Sequence, residues 1–150
     1  MQDMDDRGGD PVSEKERRTF ELSEMYSFLE DGGAAPLVGA EGFWREIMSG
    51  NPRSADVLRV ARGDGWLVAR YRITEDTRSW EKHPAGDELL FMLSGEMSLI
   101  LEHGQEEVTV DLVAGRAFVV PRATWHRQVM RSPGEYLGAT YGKGTEHRPR

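Results

Sequence analysis

Apolar and polar positions along this chain follow two different periods, and the change falls near Ser54. Before it, Leu22, Met25, Tyr26 and Leu29 fall at i, i+3, i+4 and i+7, the stripe of an amphipathic helix over 20–29 stopped by Gly32-Gly33. A second helix is predicted over 41–48, with Phe43, Trp44, Ile47 and Met48 on one side and Gly50 and Pro52 at its end. After Ser54 the period is two. Residues 57–60 and 66–73, joined by Arg62-Gly63-Asp64-Gly65, read as a hairpin, with Leu67, Ala69, Tyr71 and Ile73 on its inward face. Further strands are predicted over 79–83, 88–93, 96–102, 107–112, 117–120, 126–130 and 136–141, separated by turns at His103-Gly104, Ala114-Gly115 and Pro133-Gly134. The alternation is cleanest in Val108-Thr109-Val110-Asp111-Leu112, as expected of a strand with one buried and one wet face. Many short strands of even spacing predict an all-β sandwich or barrel, with both helices packed against its exterior.

Composition narrows the chemistry more than the fold. The 150 residues suit one domain, and there is no internal repeat. No cysteine is present, so disulfides and thiolate chemistry are excluded and any metal must be held by nitrogen and oxygen. Residues 1–31 hold ten acidic and four basic side chains, so the rest of the chain is close to neutral although the whole carries −7. That leaves no basic face for nucleic acid. The apolar runs are too short to span a membrane, and the acidic start does not read as a secretion signal, which points to the cytoplasm. Residues 1–16, polar with Gly8-Gly9 and Pro11, read as a disordered acidic tail, followed by a helical arm over 17–53, a barrel over 54–142 and a polar C-terminal tail over 143–150.

The candidate chemistry is concentrated in residues 80–95. Glu81 and His83 sit two apart, on one face if this piece is a strand, and the turn-prone Pro84-Ala85-Gly86-Asp87 then delivers Glu88 on the next strand. A fourth ligand-type side chain, His126, opens a strand about forty residues on, after Gly115 and Pro121. Strand parity makes Tyr71, Leu90, Met92, Phe118 and Gln128 the predicted pocket walls, mostly apolar with two polar handles. Trp80 and Trp125, each next to a ligand, turn the other way, toward outer-face packing or a dimer interface. His147 lies in the C-terminal tail, from which it can swing back to a metal, although a terminal histidine reads as exposed.

These two stretches resemble the paired motifs of the cupin superfamily. His83, Glu88 and Gly95 match the second His, the Glu and the closing Gly of the first motif, and Gly115, Pro121 and His126 match the second. Glu81 stands where the first motif has its first His, Ala123 where the second has a Gly, and Met130 where it has an Asn. The resemblance covers residues from about 54 to 141 and implies a jelly-roll barrel with a ligand cavity. It further implies that small single-barrel chains of this kind pair as homodimers.

Two carboxylates in an apolar barrel repel unless a cation lies between them, and two neutral imidazoles, two carboxylates and a divalent ion sum to zero charge. Glu81, His83, Glu88 and His126 are therefore the predicted ligands of Fe, Mn, Zn or Ni, with Glu81 doubling as a candidate base. In the alternative, Glu81 pairs with Arg70 or Arg72 and His126 is a core histidine. The functional classes that follow are a metalloenzyme acting on a small organic substrate (dioxygenase, isomerase, lyase or cyclase), a non-catalytic small-molecule-binding module with or without metal, and a structural dimerisation barrel.

Overall fold

The computed structural model describes residues 18–150, so the tail expected over 1–16 lies outside the described residues. Nine strands form one curled sheet: β1 (Met25–Glu30), β2 (Leu37–Gly39), β3 (Gly65–Ile73), β4 (Ser79–Lys82), β5 (Glu88–His103), β6 (Glu106–Val113), β7 (Ala117–Val120), β8 (His126–Thr140) and β9 (Glu146–Pro149). Two helices, α1 (Phe43–Met48) and α2 (Ala55–Arg62), lie between β2 and β3. The path β2-β1-β3-β8-β4-β9 makes one side, while β5 pairs with β6, β7 and the whole of β8 to make the other. This is an all-β jelly roll. Among the described residues no helix is long and apolar enough to cross a membrane.

Strands β5 and β8 carry the roll. The pairs expected over 88–93 with 96–102, and over 126–130 with 136–141, are each one continuous strand that bends without stopping. The bend falls where the β5–β8 register shifts between Met92 and Met97, with Gly95 at φ 71° and Gly134 so close to Ser94 that a Cβ there would collide with its carbonyl. Glycine thus turns a predicted chain reversal into a bulge that curls the sheet.

Three segments depart from the sequence pattern. Residues 20–29 form one turn and then β1, because Tyr26 and Phe28 alternate into a buried cluster and the strand pairs with β3, leaving Leu29 exposed. Residues 57–60, expected as a strand, lie in α2, where Val57 and Val60 are buried at i, i+3 and Asp56 and Arg62 sit at the ends favoured by the helix dipole. Four residues Val-Leu-Arg-Val fit either period, and the surrounding turn decides. The C-terminal residues, expected as a free tail, form β9 on the edge of β4, held by Lys82–Glu146 and by Arg148, whose guanidinium contacts Glu102 and lies over Trp80 and Trp125. Trp80 is accordingly buried although it faces away from the ligands.

Two apolar clusters divide the interior. One fills the barrel between β5, β6, β7 and β8 with Leu90, Met92, Met97, Leu99, Leu101, Leu112 and Val120. The other joins Tyr26, Phe28, Phe43, Val57, Val60 and Leu67, and Tyr71 packs against both. Of the two predicted helices only 41–48 is one, as α1, and rather than lying flat on the outside it joins α2 in walling a cavity against the sheet.

Candidate metal centre and cavity

Four side chains meet at the inner end of that cavity. Glu81 and His83 follow one another on the face of β4 and its continuation, Glu88 opens β5 and His126 opens β8, where it pairs directly with Glu81. One ligand-type atom from each, Glu81, His83, Glu88 and His126, lies within 4.8 Å of all the others. His126 Nε2 is 2.9 Å from Glu88 Oε2 and 3.4 Å from Glu81 Oε1, and His83 Nε2 is 3.4 Å from Glu88 Oε2 and 4.0 Å from Glu81 Oε1. Donor atoms about 2.0–2.2 Å from a shared ion stand at most about 4.4 Å apart, so the cluster needs only a small contraction to close on one cation.

The outer nitrogens fix what the inner ones present. His126 Nδ1 is 3.0 Å from the carbonyl of Thr124, which only accepts, so Nδ1 carries the hydrogen. Thr145 Oγ1 donates to the carbonyl of Gly142 and lies 2.8 Å from His83 Nδ1, so here too Nδ1–H donates. Both neutral imidazoles therefore turn an Nε2 lone pair toward two carboxylates. His83 Nε2 is buried with no hydrogen-bond partner among the described residues, an unpaired polar atom aimed at the cluster. Thr140 donates to Glu88 Oε1 at 2.7 Å and orients that carboxylate. Lone pairs facing carboxylates at these distances are tolerable only with a cation between them, either protons or a metal.

Without metal the protons fill that role. Burial alone would lower the His126 pKa, but hydrogen bonds and charge from Glu81 and Glu88 push it up to about 10. Burial would likewise raise both carboxyls, yet His126 and His147 hold Glu81 well below its ordinary value and His126 and His83 hold Glu88 below its own. Arg70 and Arg72, considered as partners for Glu81, instead face Glu135 on the outer surface, Arg70 also reaching Glu21.

The exposed reading of His147 does not hold. Strand β9 sets it opposite Glu81, with Nε2 3.5 Å from Glu81 Oε2 and its side chain mostly covered. Nothing local signals this, because the position depends on pairing between segments more than sixty residues apart. Thr145 was missed for the same reason. Ala123, in the place of the motif glycine, keeps the left-handed backbone at φ 61° and donates its N–H to His83 O, so the turn carrying His126 survives the substitution at the cost of some strain.

The cavity beside the cluster is about 400 Å³. Of the predicted walls, Tyr71 and Gln128 line it, whereas Leu90 and Met92 are fully buried in the barrel cluster and Phe118 packs against that cluster. Their inward parity was right, but parity does not say which end of a barrel its own side chains fill. The missing walls come from α1, α2 and β8, notably Phe43, Trp44, Ile47, Val60 and Tyr136.

Residues 68–138 match the family described as Cupin domain, a span that runs from within β3 to within β8 and holds all four clustered side chains. These residues form a cupin domain. No curated protein sequence matches the chain. Solved structures that it resembles include a Neisseria meningitidis protein (20% identity over 50% of this chain and 72% of the other, TM-score 0.44) and a Desulfitobacterium hafniense cupin superfamily protein (22%, 54% and 71%, TM-score 0.45). A Bacillus subtilis oxalate decarboxylase with Mn(II) centres is 18% identical over 58% of this chain and 24% of its own, with a TM-score of 0.49. The chain spans less than two thirds of several such neighbours. Capping helices α1 and α2 and strand β9 lie outside the residues matched to the cupin family.

Proposed function

We propose that this cupin binds one divalent transition metal through Glu81, His83, Glu88 and His126 and acts as a metal-dependent enzyme on a small organic substrate in the adjoining cavity. The observation that carries the reading is the pair of imidazoles whose Nδ1 hydrogens are spent on Thr145 and Thr124, leaving both Nε2 lone pairs aimed at two carboxylates. Donors that are all nitrogen or oxygen suit Fe(II), Mn(II), Zn(II) or Ni(II), and His83, Glu88 and His126 compose the two-His-one-carboxylate set associated with non-haem Fe(II). When bound, such an ion supplies Lewis-acid polarisation of a substrate oxygen or a site for dioxygen.

The protein's own groups do the rest. Thr145 and Thr140 hold His83 and Glu88 in orientation, α1 and α2 wall the cavity, and Glu81 is the group placed to take or return a proton. Glu81 is the most exposed of the four, and His147 on its second oxygen gives that proton an onward acceptor. The direct test is metal content after loading with each of the four ions in turn. About one equivalent per chain is expected, falling to near zero in His126→Ala, while Glu81→Gln retains metal and alters the rate or its pH profile.

One observation favours a second reading. The 2.9 Å contact between His126 and Glu88 is also a good charge-assisted hydrogen bond, so a proton-filled cluster would make a metal-free, non-catalytic binding module. Stoichiometry near zero after loading would select it. The proposed state is a cytoplasmic homodimer, supported by exposed Leu89 and Val119, cross-strand neighbours on β5 and β7. A monomer mass by light scattering at high micromolar concentration would exclude the dimer.

A further inference from the structure

The cavity walls say what kind of molecule fits beside the metal cluster. Among the described residues lining it there is no arginine and no lysine, and its acids, Glu81 and Glu88, belong to the cluster. With an ion bound, two carboxylates cancel its charge, so an anionic ligand would bring an unbalanced negative charge into a site with no arginine or lysine to meet it. Without an ion, the same ligand faces the carboxylates themselves. The site thus disfavours carboxylates and phosphates in either state.

Shape and wall chemistry narrow the ligand further. A volume of about 400 Å³ lies toward the lower end of small-molecule sites, roughly 300–1,000 Å³. Aromatic rings dominate one side: Trp44 lies 5.8 Å from Tyr71 and Tyr71 5.2 Å from Tyr136, all tilted to one another, and Phe43 meets Trp44 edge-on at 5.0 Å. A staggered wall of this kind offers faces and edges to a flat guest. The polar handles are uncharged. Gln128 Nε2 donates to the Tyr136 hydroxyl at 3.1 Å, which leaves its carbonyl oxygen as an acceptor, and burial keeps the Tyr71 hydroxyl protonated far above its ordinary range.

Resting on the metal-site reading, we propose that the cavity takes an uncharged one- or two-ring molecule that turns an oxygen toward Glu81, His83, Glu88 and His126 and stacks its ring against Tyr71 and Trp44. The site selects against the carboxylate of the same skeleton. Salicylamide and salicylate make a matched pair, equal in size and ring and differing in charge at neutral pH. Binding of each is measured by calorimetry and by tryptophan fluorescence on the metal-loaded protein and again after EDTA treatment.

The expected result is at least a tenfold tighter fit for salicylamide in both states, abolished by Ile47→Trp, which adds bulk to the cavity wall at a residue outside the cluster. Equal or tighter binding of salicylate, binding of neither compound, or a preference that survives Ile47→Trp overturns the proposal. Its failure is separable from failure of the metal site. Metal content is counted independently, and a neutral preference in protein that takes up no metal would leave the cavity assignment standing while removing the metalloenzyme.

Discussion

The same two long strands build two unlike interiors. In the barrel cluster Leu90, Met92, Met97 and Leu99 of β5 are without exposed surface and pack together with Leu101, Leu112 and Val120. One pleat repeat back along that strand, Glu88 faces two histidines and a second carboxylate beside an open cavity. The apolar end is stabilised by contact alone and is indifferent to what lies beyond. The polar end needs a cation to balance it, so its stability is expected to depend on pH and, on the proposed function, on metal in a way that the apolar end does not. Charge balance distinguishes a site from a core here, more than burial does: His126 is as buried as Leu99.

Removing one cation-binding side chain should break the contrast most severely. His126→Ala strips the nitrogen facing both carboxylates, and is expected to lose all metal and to destabilise the metal-free protein by about 3–5 kcal/mol in urea unfolding, the scale for breaking a buried charge pair. At the other end, Leu99→Ala should cost about 2–5 kcal/mol by leaving a cavity, with metal stoichiometry unchanged. If Leu99→Ala also emptied the site, the two interiors would not be independent.

The pH dependence sharpens the same contrast. In the metal-free fold His126 is raised to about 10 from 6.5, so it contributes stability that is complete below about pH 6.5, declines as pH rises and is gone above about pH 10. Glu81 and Glu88, both lowered, contribute in the opposite sense: their share is present above about pH 4.5 and is lost as pH falls through their folded values. Metal-loaded protein, with Nε2 bound to the ion, should lack the alkaline decline. Urea midpoints of the two forms should therefore diverge from neutral pH toward pH 10, and parallel curves would contradict the assignment.

Much of this was legible from the residues, and the parts that were not share a cause. Local pattern carried Val108 to Leu112, Ala117 to Val120 and the three ligand-type side chains flanking Pro84 to Asp87, because strand parity and a tight turn are properties of neighbours in sequence. Helical spacing at Leu22, Met25, Tyr26 and Leu29 misled, since Tyr26 and Phe28 satisfy a period of two equally well and pairing with β3 settles it. Gly134 was read as turn punctuation and Gly95 as the closing glycine of a motif, although both serve close backbone approach. Thr145, His147 and the α1 wall reach the site only through long-range contacts, which no window of sequence contains.

Smaller effects probe the surroundings of the cluster. Thr145→Val removes the acceptor of the His83 Nδ1 hydrogen and is expected to weaken metal binding by roughly 10–100-fold without emptying the site at saturation. His147→Ala, which touches only the outer oxygen of Glu81, should change affinity less than Thr145→Val does, as measured in the same competition titration against a chromogenic chelator.

The central claim is that four side chains share one ion. Anomalous diffraction from crystals of metal-loaded protein tests it most directly. One peak is predicted, about 2.0–2.2 Å from His83 Nε2, His126 Nε2 and one oxygen each of Glu81 and Glu88. A peak elsewhere, or none with His126 still 2.9 Å from Glu88, would contradict it.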